Sequence, residues 1–98
     1  MTFIVKFRPA ARAEFDEAID WYESREAGLG DEFEDAIVAA VEKIRWNPNS
    51  RALVYKVVRK IAVDQFPYIV FYRVRGDVIR IVSVFHSKRD PKIWKARV

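Results

Sequence analysis

Cysteine is absent from this 98-residue chain, histidine and methionine occur once each, glycine three times and proline four times. Without a thiol there is no disulfide framework and no thiolate metal site, and nothing favours an oxidising compartment. The longest apolar runs fall far short of the roughly 18 residues that span a bilayer, and the opening MTFIVKFRP holds no signal-like apolar stretch. A cytoplasmic protein without a membrane segment is expected. With few glycines and prolines and no repeats there is no linker, so residues 1–98 suit one domain with a modest core. A hydrophobic fraction of 51% argues against disorder.

What is present in quantity is charge, unevenly placed. Residues 1–50 carry six basic side chains against eleven acidic, a balance of −5, whereas residues 51–98 carry twelve against three, a balance of +9. A basic half of this kind favours an anionic partner, either nucleic acid or an acidic protein segment. The plainer reading is that the two halves cover each other's charge.

Tyr68–Val74 and Val78–Phe85, both rich in β-branched and aromatic residues, flank Gly76-Asp77, a pair that closes hairpins. In the first run Tyr68, Val70, Tyr72 and Val74 share one face. The other face begins apolar at Ile69 and Phe71 and turns basic at Arg73 and Arg75. From Ile81 to Phe85 only Ser83 interrupts the apolar residues, as expected of a central strand covered on both sides. It leads directly into His86-Ser87-Lys88-Arg89-Asp90-Pro91, so polar chemistry collects where a buried strand can hold it rigidly.

Upstream, Phe3, Val5 and Phe7 alternate with Ile4 and Lys6 as a short strand ending at Arg8. Pro9 can open a helix without losing a hydrogen bond. Ala11, Phe15, Ala18, Ile19 and Tyr22 then recur at helical spacing to about Glu26, with Asp16, Asp20 and Glu23 on another, solvated side. Three carboxylates on a flat face without a histidine make a poor cation site, and neither a metal nor any other cofactor is expected. Gly28-Leu29-Gly30 lacks the lysine and length of a phosphate loop and reads as a turn, with Gly28 in the left-handed conformation.

Asp31 and Glu34 form a capping-box pattern, and Phe33, Ile37, Ala40, Val41 and Ile44 give a second helical stripe. Pro48 stops that helix by Asn47. After a loop over 47–50, an irregular extended segment from Leu53 leads into a strand over Val57–Val63. Asp90-Pro91 starts a short helical turn whose Ile93 and Trp94 pack on the body while Lys92, Lys95 and Arg97 stay wet. Strand, helix, helix and three strands, in that order, predict an α+β domain with a helical hairpin on a mainly antiparallel sheet.

Several strings, in this order and spacing, resemble the RelE/ParE superfamily of bacterial type II toxins. They are Pro9-Ala10 with Glu14 and Glu17-Ala18, Trp21-Tyr22-Glu23, Gly28-Leu29-Gly30, Asn47-Pro48, Phe66-Pro67-Tyr68, Val70-Phe71-Tyr72-Arg73-Val74, His86 and Arg89-Asp90-Pro91. The resemblance covers almost the whole chain and is greatest to the ParE-like branch, often labelled plasmid stabilisation proteins. It implies a growth-inhibiting toxin silenced by a cognate antitoxin whose flexible part wraps it. ParE-type members poison DNA gyrase; RelE-type members cleave messenger RNA in the ribosomal decoding site.

The first expectation is a ParE-like toxin that binds gyrase and performs no chemistry of its own. The alternative is a RelE-like, ribosome-dependent and metal-independent mRNA endoribonuclease, and a third reading is a basic RNA-binding module that stacks bases on Tyr68, Tyr72 and Trp94. The RelE branch uses an arginine just past the last strand and a tyrosine near the C-terminus. Here those positions hold His86 or Ser87 and Ile93 or Trp94, which weighs against the nuclease. If it is a nuclease, the candidate catalytic residues are His86 as acid or base with Arg59 and Arg89 as phosphate clamps. The other reading of His86 is a strand-end histidine bonded to backbone. Candidate target-binding residues are Arg73, Arg75, Lys88, Arg89, Lys92 and Trp94, with Arg89 projecting beside Arg59 and Arg73. Core packing is the other use of Trp94 and the two tyrosines. The basic half, with apolar residues on both sheet faces, implies a hetero-oligomer with an acidic, partly disordered antitoxin.

Overall fold

A computed structural model describes residues 2–98. The elements are β1 (Ile4–Phe7), α1 (Pro9–Arg25), α2 (Leu29–Trp46), β2 (Leu53–Tyr55), β3 (Val58–Ala62), β4 (Tyr68–Arg75), β5 (Val78–His86) and the single turn α3 (Lys92–Lys95). They form one sheet in the order β1-β5-β4-β3-β2. Only β1 runs parallel to its neighbour β5; the other pairings are antiparallel. The α+β architecture read from the sequence is the one observed.

The extended segment from Leu53 contains a further strand: Leu53–Tyr55 pairs with β3, with a register shift between Leu53 and Tyr55, through a tight turn at Lys56-Val57, where Lys56 takes a φ of 51°. Leu53 and Val54 are both exposed, so this edge strand has no buried face and leaves no alternating signal. The turn also lacks the glycine or asparagine that usually marks a two-residue hairpin.

The sheet has a core on each side. Phe15 of α1 and Phe33, Ile37 and Ile44 of α2 pack on Val70, Tyr72, Ile79, Ile81 and Val84. On the opposite face Val58, Phe71, Val82 and Phe85 lie under Trp94, the buried residue of α3. This explains why β5 is apolar at nearly every position. Its pairing with β4 contains a bulge, since Phe71 faces Ser83 while Tyr72 faces Ile81, leaving Val82 as the extra residue.

The helical hairpin is closed differently from the capping-box expectation. The residue before α2 is Gly28, with φ 88°, and no side chain of its own segment caps the helix. Instead Glu23 of α1 accepts hydrogen bonds from the Gly28 N–H at 3.0 Å and the Gly30 N–H at 3.0 Å. Glu23 was assigned to the solvated face, but a carboxylate at a helix N-terminus satisfies otherwise orphaned donors. Gly30 permits the close approach: a Cβ there would stand 2.8 Å from the Ile19 carbonyl oxygen.

Candidate functional site

Glu14 lies three residues after Ala11 and four before Ala18, within the stripe of α1 that faces the sheet. It meets β5 where the bulge interrupts the ladder and takes the donors left there. Its Oε1 accepts from the Ser83 hydroxyl at 2.8 Å and the Val84 N–H at 3.2 Å. Arg97 grips the same carboxylate bidentately, at 2.8 and 3.0 Å, and donates also to the Val82 carbonyl at 3.1 Å. Arg89 adds a further bond to Oε2 at 3.0 Å. One carboxylate, only 10% exposed, thus fastens the last residues to α1 and β5. Arg97 is therefore not wet, as expected from the sequence, but ion-paired and 18% exposed. Position inside an apolar stripe was the signal that could have found Glu14.

Beside this cluster a cleft of 470 Å³ opens between α1 and the end of the sheet. Its walls are Glu14, Glu17, Ala18, Trp21 and Tyr22 from α1, facing Pro67, Tyr68, Val84, His86 and Arg89. The Tyr68 ring meets the His86 ring edge-on at 5.1 Å and lies 6.2 Å from Tyr22. Burial pushes the Tyr68 hydroxyl above its ordinary pKa, with Tyr22 adding to the rise and Arg89 opposing it. Burial raises Tyr22 likewise. Both phenols are thereby held in the neutral form to higher pH than a free tyrosine. The His86 Nδ1 accepts the Lys88 N–H at 3.1 Å, so the backbone-bonded reading of this histidine describes its observed contact. An aromatic floor with a carboxylate and a guanidinium on its rim suits an apolar side chain flanked by polar groups. Among the described residues no three His, Cys, Asp or Glu side chains gather as a metal site.

The residues singled out from the sequence fall into separate groups. His86, Lys88, Arg89 and Lys92 lie at the end of the sheet where Tyr68 pairs with His86. Arg73 and Arg75 lie at the opposite, turn end of the hairpin, where Arg75 pairs with Val78. Seven strand positions separate the two ends, or about 23 Å. The expected grouping of Arg89 with Arg59 and Arg73 is thus corrected: the hairpin's length holds them apart. Arg59 sits on β3 opposite Tyr72 and donates to the Arg51 carbonyl. For Trp94 the core-packing reading is the one observed, and its place among the target-binding residues is corrected. Trp94 is 4% exposed, its ring stacked 3.9 Å from Phe71, so it serves the core and offers nothing to a partner.

The family model described as the ParE toxin of the type II toxin-antitoxin system parDE matches residues 5–91. The chain belongs to the ParE toxin family. Solved structures share the fold. The chromosomal ParDE toxin-antitoxin system from P. aeruginosa superposes with a TM-score of 0.71 at 20% identity, over 89% of this chain and 98% of that one. A free-state mutant of E. coli toxin RelE gives 0.61 at 16% identity, over 99% and 94%. A mutant of E. coli RelE in complex with an antitoxin RelBc peptide gives 0.55 at 17% identity, over 100% and 96%. No curated protein sequence matches. This ParE-family chain is accordingly a RelE/ParE-superfamily toxin, and among its described residues no helix is long and apolar enough to cross a membrane.

Proposed function

We propose that this ParE-family chain inhibits growth by binding DNA gyrase and that a cognate antitoxin silences it. The observation that carries the choice of a binding toxin over a ribonuclease is the occupation of the candidate catalytic groups. Metal-free RNA cleavage needs a base at the ribose 2′-hydroxyl and a free cation at the phosphorane, close together. Here Arg89 pairs with Glu14, Arg59 of β3 bonds to the Arg51 carbonyl in the loop before β2, and the His86 Nδ1 holds a backbone N–H. Ile93 or Trp94 stands where the related nucleases carry a tyrosine; neither supplies a phenol, and Trp94 is buried. Induction of the chain should produce DNA breaks and inhibit supercoiling by purified gyrase, without codon-specific cuts in ribosome-bound messenger RNA. Such cuts, abolished by His86→Ala, would replace this reading with the nuclease.

The antitoxin reading is supported by the cleft beside Trp21 and by the exposed apolar residues Trp21, Val38, Leu53 and Val54, which a partner segment would cover. An acidic, partly disordered segment fits the basic C-terminal half. Capture of the chain from its native host should bring down a small acidic protein in stoichiometric amount.

A further inference from the structure

The sheet face turned away from α1 and α2 is covered by α3 only around Phe71 and Phe85. Towards the Gly76-Asp77 turn it is bare and carries cations on three adjacent strands. Lys6 of β1 stands opposite Arg80 of β5, and Arg80 opposite Arg73 of β4. These three form a row at the strand spacing of about 4.8 Å. Arg8 and Arg75 extend the row along their strands on the same face, two residues from Lys6 and Arg73. Arg8, Arg73, Arg75 and Arg80 surround a depression of 340 Å³ with Val78 as its apolar residue.

No carboxylate among the described residues pairs with this row. Among the described residues the ion pairs join Arg12 to Asp16, Lys43 to Asp64, Arg45 to Glu42, and Arg89 and Arg97 to Glu14, and none reaches the five cations. The Arg8 guanidinium donates through Nη1 to the Arg97 carbonyl at 3.0 Å, and its Nε is buried without a hydrogen-bond partner. Arg73 and Arg80 are half-buried, so their mutual repulsion is screened less than that of exposed charges. Like charges directly opposite across strands destabilise a sheet, and such a row is stabilised by counter-charge from outside.

The chemistry of that counter-charge follows from residue type and shape. Four of the five cations are arginines, whose planar forks bind phosphate oxygens in pairs. The depression holds one apolar lining residue among four arginines, so it offers no apolar anchor pocket of the kind that peptide recognition uses. A regular lattice of single positive charges fits a ligand with regularly repeated single negative charges. We propose that Lys6, Arg8, Arg73, Arg75 and Arg80 bind the phosphodiester backbone of a nucleic acid without reading its sequence. This surface is separate from the cleft, and the inference does not depend on which target the toxin acts on.

The test is fluorescence anisotropy of the full chain with labelled duplex DNA and labelled single-stranded RNA of arbitrary sequence, across a salt series. Arg73→Gln/Arg80→Gln should weaken binding and reduce the slope of log affinity against log salt by about 1.8 on the duplex and about 1.4 on the single strand, the effect of two lost phosphate contacts. Lys88→Gln/Lys92→Gln, which removes the same charge at the other end of the sheet, should change the slope little. Binding of both nucleic acids assigns the shared backbone; binding of one assigns that source. The Arg73→Gln/Arg80→Gln protein should melt no lower than the wild type, because a like-charge contact is relieved. Unchanged binding in it, an equal loss in the Lys88→Gln/Lys92→Gln protein, a lowered melting point accompanying the loss, or displacement by polyglutamate at matched charge would each overturn the proposal.

Discussion

Glu14 receives five donors through two oxygens, so its removal strands more groups than it deletes. Glu14→Ala should cost about 3 kcal/mol in chemical denaturation, the usual result of leaving a largely buried partner charge alone. Arg97→Ala should come close to it. Arg89, 44% exposed on its side chain, is different: Arg89→Ala should stay within about 1 kcal/mol of wild-type stability. If Arg89 serves the cleft, that variant should be less toxic on induction at an unchanged melting temperature. Tyr72 gives a pH signature. Burial holds its hydroxyl above the ordinary value of 10.0, against the opposing influence of Arg51 and Arg59, and the hydroxyl donates to the Pro48 carbonyl at 3.0 Å. The folded chain therefore keeps this proton longer than the unfolded chain. The resulting stability is complete below the ordinary value and is lost as pH rises through the raised folded one. Tyr72→Phe should flatten the alkaline decline while costing about 1 kcal/mol for the lost hydrogen bond at neutral pH.

Two contacts close the turn of the helical hairpin. Gly30 lies against the backbone of α1, and a Cβ there meets a carbonyl oxygen that no rotamer change can move. Gly30→Ala should therefore destabilise by about 2 kcal/mol, as overpacking does elsewhere. Glu23→Ala should cost about 1 kcal/mol by uncapping α2, a loss that thermal melting would register. The short α3 depends on Trp94, which stacks on Phe71 and has Tyr55 edge-on at 5.8 Å. Trp94→Ala should cost about 3 kcal/mol or more and expose Phe71 and Phe85. If its loss left the melting point unchanged, α3 would not be part of the fold's second core.

Across the whole molecule, the two surfaces proposed for function lie at opposite ends of one hairpin. The aromatic cleft by α1 suits a protein segment, whereas the far end of the opposite sheet face gathers cations that pair with no carboxylate among the described residues. Trp21 borders the cleft and is 52% exposed, so it is the natural anchor for a partner. Trp21→Ala should weaken antitoxin capture by about 2 kcal/mol, while moving stability by no more than about 0.5 kcal/mol. Titration of the copurified partner against both proteins would measure this. An equal affinity would place the antitoxin elsewhere.

The sequence alone determined the type and order of the main elements, because helix and strand periods are local properties of the chain. The alternation along β4 assigned both of its faces, and Gly28 marked the turn between the helices. The expected grouping of Arg89 with Arg73 conflicts with the hairpin itself, since residues beside a hairpin turn and residues past its last strand must lie at opposite ends. The tertiary structure decided the rest. The parallel seat of β1 beside β5 and the edge strand Leu53–Tyr55 are pairings between distant segments, which no local pattern encodes. Glu14 and Glu23 look like ordinary surface carboxylates until a bulge 70 residues away and a neighbouring helix end supply their donors. Burial of Trp94 likewise follows from where α3 lands on the sheet. A charged or aromatic side chain takes its role from what the fold brings against it, and that depends on long-range register more than on neighbours in sequence.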